Sequence, residues 1–145
     1  MKILSKDPLD TKIAAEKFIR KLRKKAQAVV IGLRGDLGAG KTTFVKFVAE
    51  SLGIKNHITS PTFVIMKKFT IYDLRFKNLI HIDAYRLKES KELKNLGWDN
   101  IIKDPNNVIF LEWPEKVNDI LPEDTIFVHL IAEGTEHNER IIKFI

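Results

Sequence analysis

The run Ala28–Leu33, AVVIGL, leads almost directly into Gly35-Asp-Leu-Gly-Ala-Gly-Lys-Thr42. This juxtaposition restricts the chain more than any other feature. A short apolar run suits a strand buried on both faces, as in a parallel sheet. The loop fits G-x-x-x-x-G-K-[ST], a pattern that wraps backbone N–H groups round a phosphate. Gly35, Gly38 and Gly40 permit the positive φ values that such a wrap needs. The next residues, Thr42–Leu52, place Phe44, Phe47, Val48 and Leu52 at helical spacing, with Gly53 as a stop. Strand, loop and helix thus follow in the order that lets a helix N-terminus face a bound anion. The alternative is a glycine-rich turn without a ligand, and both flanks argue against it.

The rest of the chain alternates in the same way. Asp10–Ala26 reads as an amphipathic helix with Asp10 as N-cap and Ile13, Ala14, Phe18, Ile19 and Leu22 on its apolar face. Residues 58–72 hold a TSPT turn and then FVIMKKFTIY, a strand pair or an irregular strand. LIHID (79–83) and VIFLE (108–112) are apolar strands, each ending in a carboxylate. Lys88–Gly97 is expected to be helical and WDNIIK to add a short second turn. TIFVHLIA and ERIIKFI, joined by EGTEHN, suggest an antiparallel hairpin. The fold expected is α/β and P-loop NTPase-like: a central parallel sheet with antiparallel edge strands and flanking helices. With 145 residues, 44% of them hydrophobic, a single domain over 1–145 is expected.

Composition removes several classes of chemistry. The chain has no cysteine, so disulfides, thiolate zinc sites and cysteine nucleophiles are excluded. No apolar run is long enough for a membrane span, and MKILSKDPLDTK lacks the core of a secretion signal. A cytoplasmic protein without a membrane partner is therefore expected. The 25 basic and 19 acidic residues leave a formal charge of +6. RKLRKK (Arg20–Lys25) is the one dense basic cluster. It reads either as a solvated helix face or as a patch for RNA or an acidic partner.

The chemistry that a phosphate loop requires selects further residues. The backbone of Asp36, Leu37, Gly38, Ala39 and Gly40 would form the cradle, Lys41 would meet the β- and γ-phosphates, and Thr42 would offer its hydroxyl to magnesium. A carboxylate at a neighbouring strand end completes such a site. Glu112 and Asp83 both qualify. Glu112 is assigned to the magnesium, with Asp83 close by as a water-mediated ligand or as the group orienting the attacking water. The catalytic set is then Lys41, Asp83 and Glu112, and the metal set Thr42 and Glu112. Thr59–Phe63, TSPTF, brings the hydroxyls of Ser60 and Thr62 onto a backbone stiffened by Pro61. It suits a segment ordered by a γ-phosphate, or else an ordinary turn. Trp113 could stack on a base or a partner, or pack at the core edge. The four histidines show no metal-ligand spacing and read as structural or exposed.

GDLGAGKTTF, SPTF, HIDAYRL, ELKNLGWDNII, VIFLEWPEKV and ILPED, in that order, resemble the bacterial TsaE (YjeE) family. The phosphate loop is common to many families; SPTF, D-x-Y-R-L and EWP at these positions are more specific. The resemblance runs from about residue 10 to the end of the sequence. It implies a small ATPase, weak alone, that acts with a TsaD–TsaB heterodimer. That heterodimer would transfer threonylcarbamoyl to the adenosine beside the anticodon of tRNAs reading ANN codons, with tRNA contact by this chain indirect. ATP hydrolysis would support multiple turnovers or reset the complex. The resemblance also implies ATP and Mg2+ as cofactors, with ATP favoured over GTP. It matches Lys41 and Thr42 to phosphate and magnesium, Thr43 to the α-phosphate, and Ser60, Pro61 and Thr62 to a switch segment. Asp83 matches the acid of D-x-Y-R-L, and Glu112 and Trp113 match a Glu-Trp pair. Two other readings stand beside it. A small-molecule kinase needs an arginine-bearing lid, for which this length leaves little room. A non-hydrolysing nucleotide-gated module would not need Asp83, Glu112 and the switch turn.

Overall fold

The computed structural model describes residues 1–55, 65–132, 134, 136 and 138–145. The elements run β1 (Lys2–Ser5), α1 (Pro8–Lys21), β2 (Val29–Arg34), α2 (Lys41–Ser51), β3 (Met66–Thr70), β4 (Asn78–Asp83), α3 (Ser90–Lys94), α4 (Trp98–Lys103), β5 (Asn107–Glu112), 3₁₀ turns over Pro114–Ile120, β6 (Ile126–Ile131) and β7 (Arg140–Phe144). The strands form one seven-stranded sheet in the order β1-β7-β6-β2-β5-β4-β3. Strands β6, β2, β5 and β4 pair in parallel. The outer pairs, β3 with β4, β7 with β6 and β1 with β7, are antiparallel. The expected parallel centre with antiparallel edges is therefore observed. Among the described residues no helix is long and apolar enough to cross a membrane.

Alternation along the strands divides the core in two. Val29, Ile31 and Leu33 of β2, with Val108 and Phe110 of β5, face α1 and α2, where they meet Ala15, Ile19, Phe44, Val45 and Val48. Val30, Ile109 and Leu111 face the other way, onto Leu93, Trp98 and Val117. All six β5 residues are buried. A strand covered on both faces reads as a continuous apolar run, which is why its sequence carries no alternation. Burial of each such large side chain contributes on the order of 1.5–3 kcal/mol, so the central strands anchor the site.

The structure corrects several expected boundaries. Asp7, not Asp10, caps α1: its carboxylate accepts from Asp10 N at 3.1 Å, and Pro8 opens the helix. The Asp10 carboxylate instead accepts from Lys6 N at 3.0 Å. The helix stops at Lys21 rather than Ala26, since Arg75 Nη1 donates to Ile19 O at 2.6 Å and Leu22 O at 2.7 Å. Only the first two residues of RKLRKK are thus helical. Ile13, expected on the apolar face, is exposed. The expected helix Lys88–Gly97 is one short helix, α3; Gly97, at φ +93°, begins α4. Within 58–72 the described residues hold one strand, β3, paired with β4. β1 and the 3₁₀ turns were not expected from the sequence.

Candidate active site

The sheet order brings the selected residues together. β2 ends beside β5, with Leu33 opposite Glu112, and β5 ends beside β4, with Glu112 opposite Asp83. The two acids therefore terminate adjacent parallel strands, next to the loop that leaves β2. Ligand sites in such sheets form outside the carboxyl ends of the strands. Gly35 is fixed by its surroundings: at φ +150° a Cβ there would stand 2.6 Å from Leu130 O. Gly40 caps α2 in the left-handed region, at φ +104°, so the loop turns directly into the helix.

Lys41, Thr42 and Glu112 form the centre. Glu112 is 3% exposed, and both its oxygens accept from Thr42 Oγ1, at 3.1 and 3.0 Å. His81, wholly buried, places Nε2 2.6 Å from Glu112 Oε2, while its Nδ1 has no partner. A carboxylate oxygen can only accept, so Nε2–H is the donor in this contact. Lys41 Nζ donates to Gly35 O and, at 3.0 Å, to Asp36 O. Burial pushes the Lys41 ammonium below its ordinary value, and Glu112, then Asp83, Glu115 and Asp36, oppose that shift. The Asp83 carboxylate accepts from Tyr85 N at 2.9 Å.

Trp113 follows Glu112 in the left-handed region, at φ 60° and ψ 54°. This conformation costs about 1–2 kcal/mol for a residue with a Cβ. Its ring covers Lys41 Nζ at 4.3 Å and packs on Tyr85 with centroids 5.0 Å apart. Of the two alternatives for Trp113 the structure shows the core-edge one: the ring is partly buried against the second core cluster and also faces the site. Trp113, Tyr85, both acids, Lys41, Thr42 and Thr43 line a cavity of about 300 Å³ with Leu37, Gly38 and Gly40.

Sequence reasoning missed a second cavity of about 180 Å³ beyond Thr43, where Pro8, Thr11, Leu130, Asn138 and Arg140 join Gly38, Ala39 and Gly40. Arg140 Nε donates to Ala39 O at 3.1 Å and Nη2 to Gly38 O at 3.3 Å, so β7 braces the loop. Nothing local in the sequence marks Arg140, which lies 101 residues from Ala39. Nor did the sequence assign His81 its contact with Glu112. Ser60, Pro61 and Thr62 lie outside the described residues.

Among the described residues no three acidic, histidine or cysteine side chains form a metal cluster. A hydroxyl and a carboxylate meeting at the start of a helix do fit magnesium, which draws few ligands from protein and several from phosphate and water.

Comparisons with known proteins place the chain in a family. A family model described as Threonylcarbamoyl adenosine biosynthesis protein TsaE matches residues 5–142. The chain is 34% identical over 116 residues to the tRNA threonylcarbamoyladenosine biosynthesis protein TsaE of Haemophilus influenzae, spanning 80% of this chain and 71% of that one. To the protein of the same name from Rickettsia prowazekii it is 35% identical over 133 residues, 91% and 85% of the two chains. The crystal structure of Bacillus subtilis YdiB superposes with a TM-score of 0.78 at 29% identity, covering 99% of this chain and 83% of that one. The family match runs from Ser5 at the end of β1 to Ile142 within β7, through every element that builds the site, and the chain therefore belongs to the TsaE family of threonylcarbamoyl adenosine biosynthesis proteins.

Proposed function

We propose that the chain is a magnesium-dependent ATPase that serves threonylcarbamoyl transfer to the adenosine beside the tRNA anticodon, working in the cytoplasm with a TsaD–TsaB complex. The observation that carries this reading is the contact of Thr42 Oγ1 with both oxygens of Glu112, with Asp83 on the adjoining strand end. Simple nucleotide binding needs neither acid.

In this reading the backbone N–H groups of Asp36 to Gly40 and the N-terminus of α2 bind the phosphates. Lys41, held by the carbonyls of Gly35 and Asp36 under the Trp113 ring, would supply its charge to the terminal phosphates. Thr42 and Glu112 hold magnesium, which when bound neutralises charge on the phosphates. Asp83 orients the water that attacks. Thr43 meets the α-phosphate, and the cavity braced by Arg140 takes the nucleoside. The membership in TsaE supports ATP as the nucleotide and tRNA modification as the process served.

The test is ADP release by the purified chain, with magnesium, alone and with a TsaD–TsaB complex. Slow release alone and an increase of tenfold or more with the partner is expected. No stimulation would overturn the partner-dependent reading, and phosphate transfer to a metabolite in place of ADP-plus-phosphate release would favour a kinase.

A further inference from the structure

Both ends of the sheet carry charge, and at the amino ends of the parallel strands Asp124 pairs with Lys25 and Asp104 accepts from Asn106 N. Glu112, Asp83, Glu115 and Asp36 act on Lys41 at the carboxyl ends of the parallel strands. At the opposite ends, the loop between β3 and β4 lies against the end of α1. Arg75 joins them: its Nη1 bonds Ile19 O and Leu22 O, and its Nη2 bonds Asp73 Oδ2 at 3.0 Å. Ile71 and Phe76 bury themselves at either end of the loop. Between these anchors Tyr72 and Leu74 stand clear of the protein, at 96% and 106% relative exposure.

The adjoining surface is cationic. A shallow cavity of about 590 Å³ is lined by Arg20, Lys21, Leu22, Arg23, Lys24 and Arg75. Lys24 Nζ bonds Asn106 Oδ1 at 2.9 Å, and Lys77 N donates to Asn106 O at 2.8 Å, which brings Lys77 to the same rim. The loop's one acid, Asp73, is already paired with Arg75. Complementing the dipole of α1 explains Arg20 and Lys21, which occupy its last turn. It does not explain Arg23 and Lys24, which lie past the helix end, where Arg75 already takes the free carbonyls.

Protein interfaces are depleted in lysine, whereas nucleic-acid interfaces are strongly positive. An exposed aromatic beside a basic groove suits base stacking. We propose that this face, remote from the nucleotide cavity, binds an RNA phosphate backbone, with Tyr72 stacking on an unpaired base. Transfer RNA is the RNA of choice because of the proposed function, and to that extent the proposal rests on it.

The test is fluorescence anisotropy of an unmodified tRNA transcript titrated with the full chain at a series of salt concentrations. The triple variant Lys21→Ala, Arg23→Ala, Lys24→Ala should bind tenfold or more weakly, with a log–log salt slope shallower by about two to three. Lys2→Ala, Lys6→Ala, Lys143→Ala removes the same charge elsewhere and should stay within about twofold of the parent chain. Tyr72→Ala should weaken binding of a single-stranded 12-mer by about fivefold and of a duplex hardly at all. ATP binding and TsaD–TsaB-stimulated ADP release, measured without RNA, should be unchanged in all three. No tRNA binding by the parent chain, or equal loss in both triple variants, overturns the proposal. So does loss of TsaD–TsaB capture by the first triple variant with tRNA affinity intact, which marks an acidic protein partner. Intact tRNA binding without stimulated ADP release overturns the proposed function instead.

Discussion

The imidazole of His81 and the carboxylate of Glu112 meet at 2.6 Å, both buried, one strand apart in the sheet. The pair fixes the acid from below while Thr42 bonds it from the loop side. His81→Phe keeps a ring in the space but leaves Glu112 Oε2 without this partner. Stability should fall by about 2–4 kcal/mol, or roughly 5–15 °C in Tm. His81→Gln, which retains an N–H donor, should recover part of that loss. Thermal unfolding followed by circular dichroism measures both, and an unchanged Tm in His81→Phe would show that the contact contributes nothing.

Glu112 and Lys41 should separate binding from hydrolysis. Glu112→Gln keeps the volume and an acceptor oxygen but removes the charge, so ADP release should fall by about 100-fold, while ATP affinity changes little. Glu112→Ala should lose more hydrolysis than binding as well. Lys41→Ala removes the ammonium aimed into the cradle and should weaken ATP binding by about 10–100-fold, the range for a lost charge-assisted hydrogen bond. Calorimetry and single-turnover ADP release distinguish the two. Equal loss of binding and hydrolysis in Glu112→Gln would assign that residue a structural role.

The parts of the site that the sequence revealed are the local ones. A loop of fixed spacing, a strand that ends in an acid and a helix with periodic apolar residues are each written in consecutive residues. Sheet order was not, yet it decides that Glu112, beside β2, reaches Thr42, while Asp83 sits one strand further out. Contacts made across long separations were equally invisible. Arg75 ends α1 from 53 residues beyond Leu22, and Arg140 reaches the loop through the last strand. His81 occupies a position in LIHID that faces the site only because of β4's register with β5. The N-cap was misplaced because Asp7 and Asp10 both suit the role, and Pro8 between them was the signal that separates them.

Gly35 should tolerate no side chain. A Cβ there would meet the Leu130 carbonyl at 2.6 Å and Ala39 Cβ at 3.1 Å, and the backbone has φ +150°. The carbonyl belongs to β6 and cannot turn aside as a flexible side chain could. Gly35→Ala should therefore shift the loop off β6, lowering stability by about 1–3 kcal/mol and ATP affinity with it. Gly38→Ala has open space around its Cβ and strains only its φ of +79°. It should cost about 1–2 kcal/mol. Urea unfolding with and without ATP checks the pair, and equal effects on nucleotide affinity would refute the steric account of Gly35.

Asp73 gives the β3–β4 loop a pH dependence whose sign follows from its bonds. The hydrogen bond from the Arg75 side chain holds the Asp73 carboxyl below its ordinary value of 3.8; burial opposes this, and the backbone N–H groups of Arg75 and Phe76 add to it. A carboxylate lowered by folding contributes stability in full above its unfolded value. The contribution disappears as pH falls through the folded value. The parent chain should thus be more stable than Asp73→Asn at about pH 6–7, and the difference should shrink below about pH 4 and close in stronger acid, where both side chains are neutral. Arg75 keeps its bonds to Ile19 O and Leu22 O throughout, so the end of α1 should stay fixed while the loop loosens. Urea midpoints from about pH 2.5 to 7 measure the difference. A gap that is constant over the whole range would show that the Asp73–Arg75 pair is not its source.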